Sequence, residues 1–220
     1  MLRYTNKKAH QRYFLQNGQE VTGASTYAKV TDEVEPFIWY GWNLGIKGLD
    51  FRKYRDADAE AGNVAHFMVH AHFKGEQVDY SEVAPATMEV AKVVFGKFQQ
   101  WWESENLTFL ATEMELSSEL YGYGGTLDVV AEGPQGRIWL LDIKTSKRVY
   151  NGHRCQVAAY AQLWDENSPD RKVHKAMVLR LGRKPKDKID PCLIYNVDEW
   201  FATFLSQKSY IENLRIATGE

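Results

Sequence analysis

The apolar pattern of this chain changes period once, and that change limits the folds open to it. Between residues 56 and 104 apolar side chains recur at helical spacing, as in Val90, Val93, Val94, Phe98, Trp101 and Trp102. From residue 107 strand-like runs take over: LTFLATEMELS (107–117), then GTLDVVAE and RIWLLDIK around the turn GPQG (133–136). KAMVLRLGR and CLIYNV follow an intervening helix, RCQVAAYAQLW (154–164). Helices are also predicted over 32–46, capped by Thr31 or Asp32, over 56–74 ending at Gly75, and over 86–104. The tail from Asp198 reads as a helix with Trp200, Phe201, Phe204, Leu205 and Tyr210 on an apolar stripe. Asn17-Gly18 between RYFLQ and EVTG predicts a small hairpin. Helices first, then three strands, a helix, two strands and a helix predict an α/β (α+β) fold, a central mixed sheet flanked by helices.

No repeat or linker divides the 220 residues, so a single domain is expected. Within it, 1–106 would hold the hairpin and the helical N-terminal part, 107–197 the sheet core, and 198–220 the last helix. No run approaches the ~20 apolar residues of a membrane helix. The polar, basic start MLRYTNKKAH shows no secretory signal, and a cytoplasmic location is expected. Two cysteines, Cys155 and Cys192, cannot supply a four-cysteine metal or iron–sulfur site.

The central hairpin carries the chemistry. Asp128 and Asp142 are each seven residues from Gln135, so a turn centred there places them opposite one another. Opposed Cβ atoms lie ~4.5–5.5 Å apart, and two carboxylates that close need a proton or a cation between them. Alternation puts Lys144 on the same face as Asp142, with Trp139, Leu141 and Ile143 on the other. Such hard oxygen ligands suit Mg²⁺ or Mn²⁺, and a neighbouring lysine can orient a hydroxide or stabilise a phosphorane-like transition state. An exposed ion pair at a strand end is the alternative for these residues taken alone.

Gly125 to Asp128, then LLDIKTSK, then Gln156 and Tyr160 at Q-x-x-x-Y spacing resemble the PD-(D/E)XK nuclease superfamily, in its RecB-like exonuclease branch. Gly62 and His66 match that branch's G-x-x-x-H helix, and Tyr13, Gly18, Val21 and Ser25 or Thr26 match the N-terminal hairpin of its phage members. The resemblance spans roughly residues 10 to 210 and implies a restriction-endonuclease-like core. It implies metal ligation by His66, Asp128, Asp142 and the main-chain carbonyl of Ile143, with Lys144 positioning the nucleophilic water. Glu113, rather than Glu115 of equal parity, would assist through the metal or its water. Gln156 and Tyr160 would contact the substrate strand, and His70 and His72 are given no catalytic role. Two departures stand out: Leu127 occupies the proline position before Asp128, and the cluster-binding cysteines of CRISPR-associated relatives are missing, so no iron–sulfur cluster is expected.

The formal charge of −2 conceals an uneven distribution. Residues 143–188 hold twelve Lys/Arg and four Asp/Glu, so this segment is +8 and the remainder −10. Lys147 and Arg148, and Arg183, Lys184 and Lys186 in the loop RKPKDK, are the expected phosphate contacts, and Ser146 could join them. Trp101 and Trp102 could stack on bases, although core packing is expected for at least one. The resemblance implies a Mg²⁺- or Mn²⁺-dependent deoxyribonuclease, an exonuclease leaving a 5′-phosphate, in phage or bacterial recombination or repair. A recombination or replication protein could be its partner. Two alternatives remain open: a silent nucleic-acid-binding or assembly subunit, and a non-nuclease metalloenzyme using the histidine-rich helix.

Overall fold

The longest helix takes its boundaries from its caps. The computed structural model describes residues 2–5, 11–30, 32 and 34–219. Helix α3 (Phe51–Lys74) starts five residues before the position predicted from spacing, because Asp50 accepts from the backbone N–H groups of Arg52 and Lys53. It ends at Gly75, which adopts a left-handed φ of 65°. Helix α2 (Glu35–Ile46) begins after Val34 with Pro36 in its first turn. Asp32 does not cap it: its carboxylate accepts from the Gly152 N–H at 2.8 Å, at the start of α5 (Asn151–Asn167). Thr31, the other predicted cap, lies outside the described residues.

Five strands form the mixed sheet: β5 (Thr108–Ser118), β6 (Tyr123–Gly133), β7 (Arg137–Lys144), β8 (Val173–Leu181) and β9 (Ile189–Ile194). They lie in chain order, antiparallel except for β7–β8, which the α5 crossover makes parallel. Preceding them are β1 (Leu2–Arg3) paired with β4 (Val78–Asp79), and the hairpin β2 (Tyr13–Phe14)–β3 (Glu20–Val21), which leads into α1 (Ala24–Ala28).

Each sheet face has its own core. Leu140 and Val178 pack with Leu163 of α5, Phe204 of α6 (Val197–Thr218) and Tyr27 of α1. On the other face Leu141, Ile143 and Leu179 pack with Val64 of α3 and with Val94 and Phe98 of α4 (Pro85–Ser104). Burying each such side chain is worth roughly 1.5–3 kcal/mol. Trp101 is buried and Trp102 stacks on Phe98, so both indoles serve this core. Tyr210 falls off the stripe predicted for α6 and is exposed, whereas its neighbour Ile211 packs against the core, so the buried face of the helix passes through Ile211 instead. Among the described residues no helix is long and apolar enough to cross a membrane.

Candidate active site

The β6–β7 ladder runs from Gly133–Arg137 to Val129–Leu141, the register a turn at Gln135 demands. Asp128 and Asp142 are the next positions, where the ladder stops and β7 continues against β8 alone. The strands part there, and a side chain takes the place of the ladder bond: Asp128 Oδ2 accepts from the Ile143 N–H at 2.7 Å. Asp142, only 1% exposed, meets Lys144 instead, whose Nζ lies 2.9 and 2.8 Å from its two oxygens.

On the other side, Thr112 pairs with Val129 and Met114 with Leu127, so Glu113 lies opposite Asp128. Glu113 has a φ of 49°, a left-handed conformation that costs a non-glycine residue roughly 1–2 kcal/mol. The Thr112 hydroxyl donates to the Asp128 carbonyl at 2.7 Å. Strand parity breaks at this point. Leu127 and Val129, two residues apart, belong to opposite cores. Local strain of this kind re-aims side chains, and here two acids are turned toward α3.

Helix α3 supplies the third group. His66 Nδ1 lies 3.2 Å from Asp128 Oδ1, and one ligand atom from each of His66, Glu113 and Asp128 falls within 4.8 Å of the others. One turn earlier Gly62 admits the end of β7: a Cβ there would lie 3.3 Å from Thr145 Oγ1. One imidazole nitrogen and carboxylate oxygens fit a hard divalent ion such as Mg²⁺ or Mn²⁺. Of the expected residues, His66, Glu113 and Asp128 converge directly, while Asp142 pairs with Lys144 and the Ile143 N–H donates to Asp128. His66, Glu113 and Asp128 border a cleft of about 480 Å³, with Glu115, His70 and Tyr160 also in its wall.

Charges here depend on one another. Burial disfavours a charged His66, but Asp128 and then Glu113 outweigh it and push the imidazole up to about 9. Burial likewise opposes ionisation of Asp128, yet His66, Lys144 and the Ile143 N–H hold that carboxyl below its ordinary range. Asp142 goes the other way: burial and the Asp128 charge push it up to about 6 against the pull of Lys144. The Lys144 ammonium loses hydration on burial, but the two aspartates raise its pKa. The protein thus holds two facing carboxyls with pKa values driven apart, bracketed by His66 and Lys144.

Gln156 and Tyr160 share a face of α5, and Gln156 Nε2 donates to the Tyr160 hydroxyl at 2.7 Å. Gly125 makes room for that ring, since a Cβ there would lie 2.5 Å from Tyr160 Cε1. Gln156 also lines a second cleft of about 290 Å³ with Lys144, His153 and Lys29. Burial first, then Lys144, Arg154 and Lys29 push His153 down to about 3.

The basic residues divide by what they touch. Lys147 Nζ lies 5.1 Å over the Tyr40 ring, and the Arg148 guanidinium 5.0 Å over Tyr150. The Ser146 hydroxyl donates to the Arg148 carbonyl. Arg183 is committed to Asp58 at 2.6 Å and has Thr145 Oγ1 at 3.4 Å. Lys184 and Lys186 are exposed. Lys97, buried in α4, holds their loop by donating to the carbonyls of Gly182 and Lys184, each at 2.6 Å. Sequence reasoning missed Asp58, Lys97 and His153. Asp58 alone left a signal, lying two turns before His66 on the face shared with Gly62.

No family model and no curated protein matches this sequence. Among solved structures the chain is similar to a "Putative exonuclease" from Eubacterium rectale, with a TM-score of 0.49 and 14% identity over 73% of this chain and 68% of that one. It is also similar to the protein SSO0001, with a TM-score of 0.37 and 16% identity over 70% and 74% of the two chains.

Proposed function

We propose that this protein is a metal-dependent nuclease of the RecB-like type, a single domain that hydrolyses phosphodiester bonds in DNA, acting from ends in phage or bacterial recombination or repair. The observation that carries the proposal is the convergence of His66, Glu113 and Asp128 from three elements, with the Asp142–Lys144 pair beside them. His66, Glu113 and Asp128 would hold the Mg²⁺ or Mn²⁺, with Asp142 and the Ile143 carbonyl as further candidates. A divalent ion bound there supplies a water of lowered pKa and positive charge for the phosphoryl oxygens.

The remaining roles belong to the chain itself. The Lys144 ammonium, fixed by Asp142, presents positive charge where the attacking oxygen and the phosphate meet. Tyr160 stays a neutral phenol, because burial and then the Asp142 charge raise its pKa well above the ordinary value. Since Gln156 donates to the Tyr160 oxygen, the Tyr160 proton is left to donate to a phosphate oxygen. The exposed Lys184 and Lys186 would attract the backbone from further away.

The test is degradation of linear single- and double-stranded DNA with Mg²⁺ or Mn²⁺ by the wild type, Asp142→Ala and Lys144→Ala. Hydrolysis by the wild type alone is expected. Equal activity in all three proteins refutes the site. A folded wild type that binds DNA and cuts none identifies a silent binding subunit.

A further inference from the structure

One charge is buried where an apolar side chain would serve the core as well. Lys97 lies in α4 among Val94, Phe98 and Trp101, which pack on the sheet, and is only 8% exposed. Taking an ammonium out of water is costly unless its protons find acceptors. Here the acceptors are two carbonyls of a single loop, those of Gly182 and Lys184, each at 2.6 Å. Burial lowers the Lys97 pKa, and the charge of Asp187, in the same loop, opposes that.

The loop is folded tightly around these contacts. The Lys184 carbonyl also accepts from the Asp187 N–H at 3.0 Å, and the Asp187 carboxylate accepts from the Lys184 N–H at 3.0 Å. Gly182 is required, because a Cβ there would lie 2.2 Å from the Asp187 Cβ. Pro185 fixes its own φ at the turn. The loop leaves Lys184, Lys186 and Lys188 exposed. Its parent strand β8 runs parallel to β7 with Arg180 in register with Lys144, so the loop leaves the sheet at the end where β7 delivers Lys144. Arg183, paired with Asp58 of α3, has the Thr145 hydroxyl at 3.4 Å, and Thr145 follows Lys144 in the chain.

We infer that Lys97 is a positioning residue for nucleic-acid binding: its ammonium holds the 182–187 loop in the shape that sets Lys184 and Lys186 on phosphates beside the candidate site. The inference rests on the proposed nuclease reading, which supplies the strand that these lysines meet. Lys97 itself touches no nucleic acid and acts through the loop. Without the ammonium two carbonyls turn to water, the loop loosens, and its lysines must be ordered as they meet the phosphates, at an entropic cost.

The test is a double-mutant cycle read as DNA affinity in EDTA, where hydrolysis plays no part, on a short labelled duplex over a range of salt. In the wild-type background Lys184→Gln with Lys186→Gln weakens binding about tenfold and lowers the salt slope by about 1.8, two contacts at roughly 0.9 each. Lys97→Met keeps the length of the side chain and removes its donors, and in that background the same pair of substitutions costs less than about threefold. Lys97→Arg keeps donors and restores most of the dependence. A merely structural Lys97 would leave the lysine effect the same in every background. A Lys97→Met protein that does not fold is replaced by Asp187→Ala, which opens the loop from its surface side and carries the same expectation.

Equal losses in the wild-type and variant backgrounds overturn the inference, as does a wild type indifferent to the loss of Lys184 and Lys186. The two proposals fail separately. Coupled losses in a protein that cuts no DNA in Mg²⁺ refute the nuclease and leave the positioning role standing. Uncoupled losses in an active nuclease refute the positioning role and leave the nuclease standing.

Discussion

Gly125→Ala offers a direct measurement of how closely α5 is seated on the candidate site. The added Cβ would lie 2.5 Å from Tyr160 Cε1 and 3.0 Å from both Tyr160 Cδ1 and Leu163 Cδ1, where ordinary contact begins near 3.4 Å. The ring must therefore retreat by about 0.9 Å. It cannot do so freely, because Tyr160 is 5% exposed and its helix is anchored at the preceding residue by the Tyr123 hydroxyl donating to the Ala159 carbonyl at 2.8 Å. Overpacking of this size costs about 1–3 kcal/mol, read as a shift in the urea midpoint at constant m. A displacement near 1 Å at a catalytic side chain can lower turnover by about 100-fold, read in a DNA degradation assay. In a Tyr160→Ala background the obstructing ring is gone, and Gly125→Ala should cost less than about 1 kcal/mol. An equal cost in both backgrounds would show that the ring does not press on Gly125, and would refute the reasoning.

Three further expectations follow from the same geometry. Lys144→Met strands the buried Asp142 carboxylate and should destabilise by about 3–5 kcal/mol in EDTA, while adding Asp142→Asn should restore part of the loss; equal urea midpoints for the single and double variants would contradict the pairing. Glu113→Gln should weaken Mn²⁺ binding in calorimetry as strongly as His66→Gln, whereas an unchanged affinity would assign the ligand place to Asp142. His153 is pushed down to about 3, so the folded state favours its neutral form; its stabilising contribution is full above about pH 6.5 and is lost as pH falls through 6.5 toward 3. His153→Gln keeps an acceptor for the Tyr150 N–H without titrating, and the acid limb of its stability curve should be flatter than that of the wild type.

Much of the framework was legible because its signals are local. The register of the central hairpin needed only the turn at Gln135, and the order of helices and strands needed only the change of apolar period. The early start of α3 was missed because the Asp50 cap precedes the apolar pattern. Asp32 looked like a cap for α2 and serves α5, a partner 120 residues distant in sequence that no local pattern reveals.

The sequence by itself determined which residues could carry the chemistry: an acid on each hairpin strand, a lysine two residues on, and a histidine on a helix. The facing acids and the lysine follow from the strand period, which short-range sterics impose, and the histidine from the resemblance of its helix to a G-x-x-x-H motif. Only the tertiary structure decided how the acids are shared. Parity gave Glu113 and Glu115 equal claims, and the left-handed backbone at Glu113 brought that residue within reach of His66 and Asp128. It also decided that Asp142 belongs to Lys144, that Arg183 is held by Asp58, and that Trp101 and Trp102 pack inward while Trp39 and Trp42 stay in solvent. Burial and pairing are properties of what surrounds a side chain, and those surroundings are assembled from segments far apart in the chain.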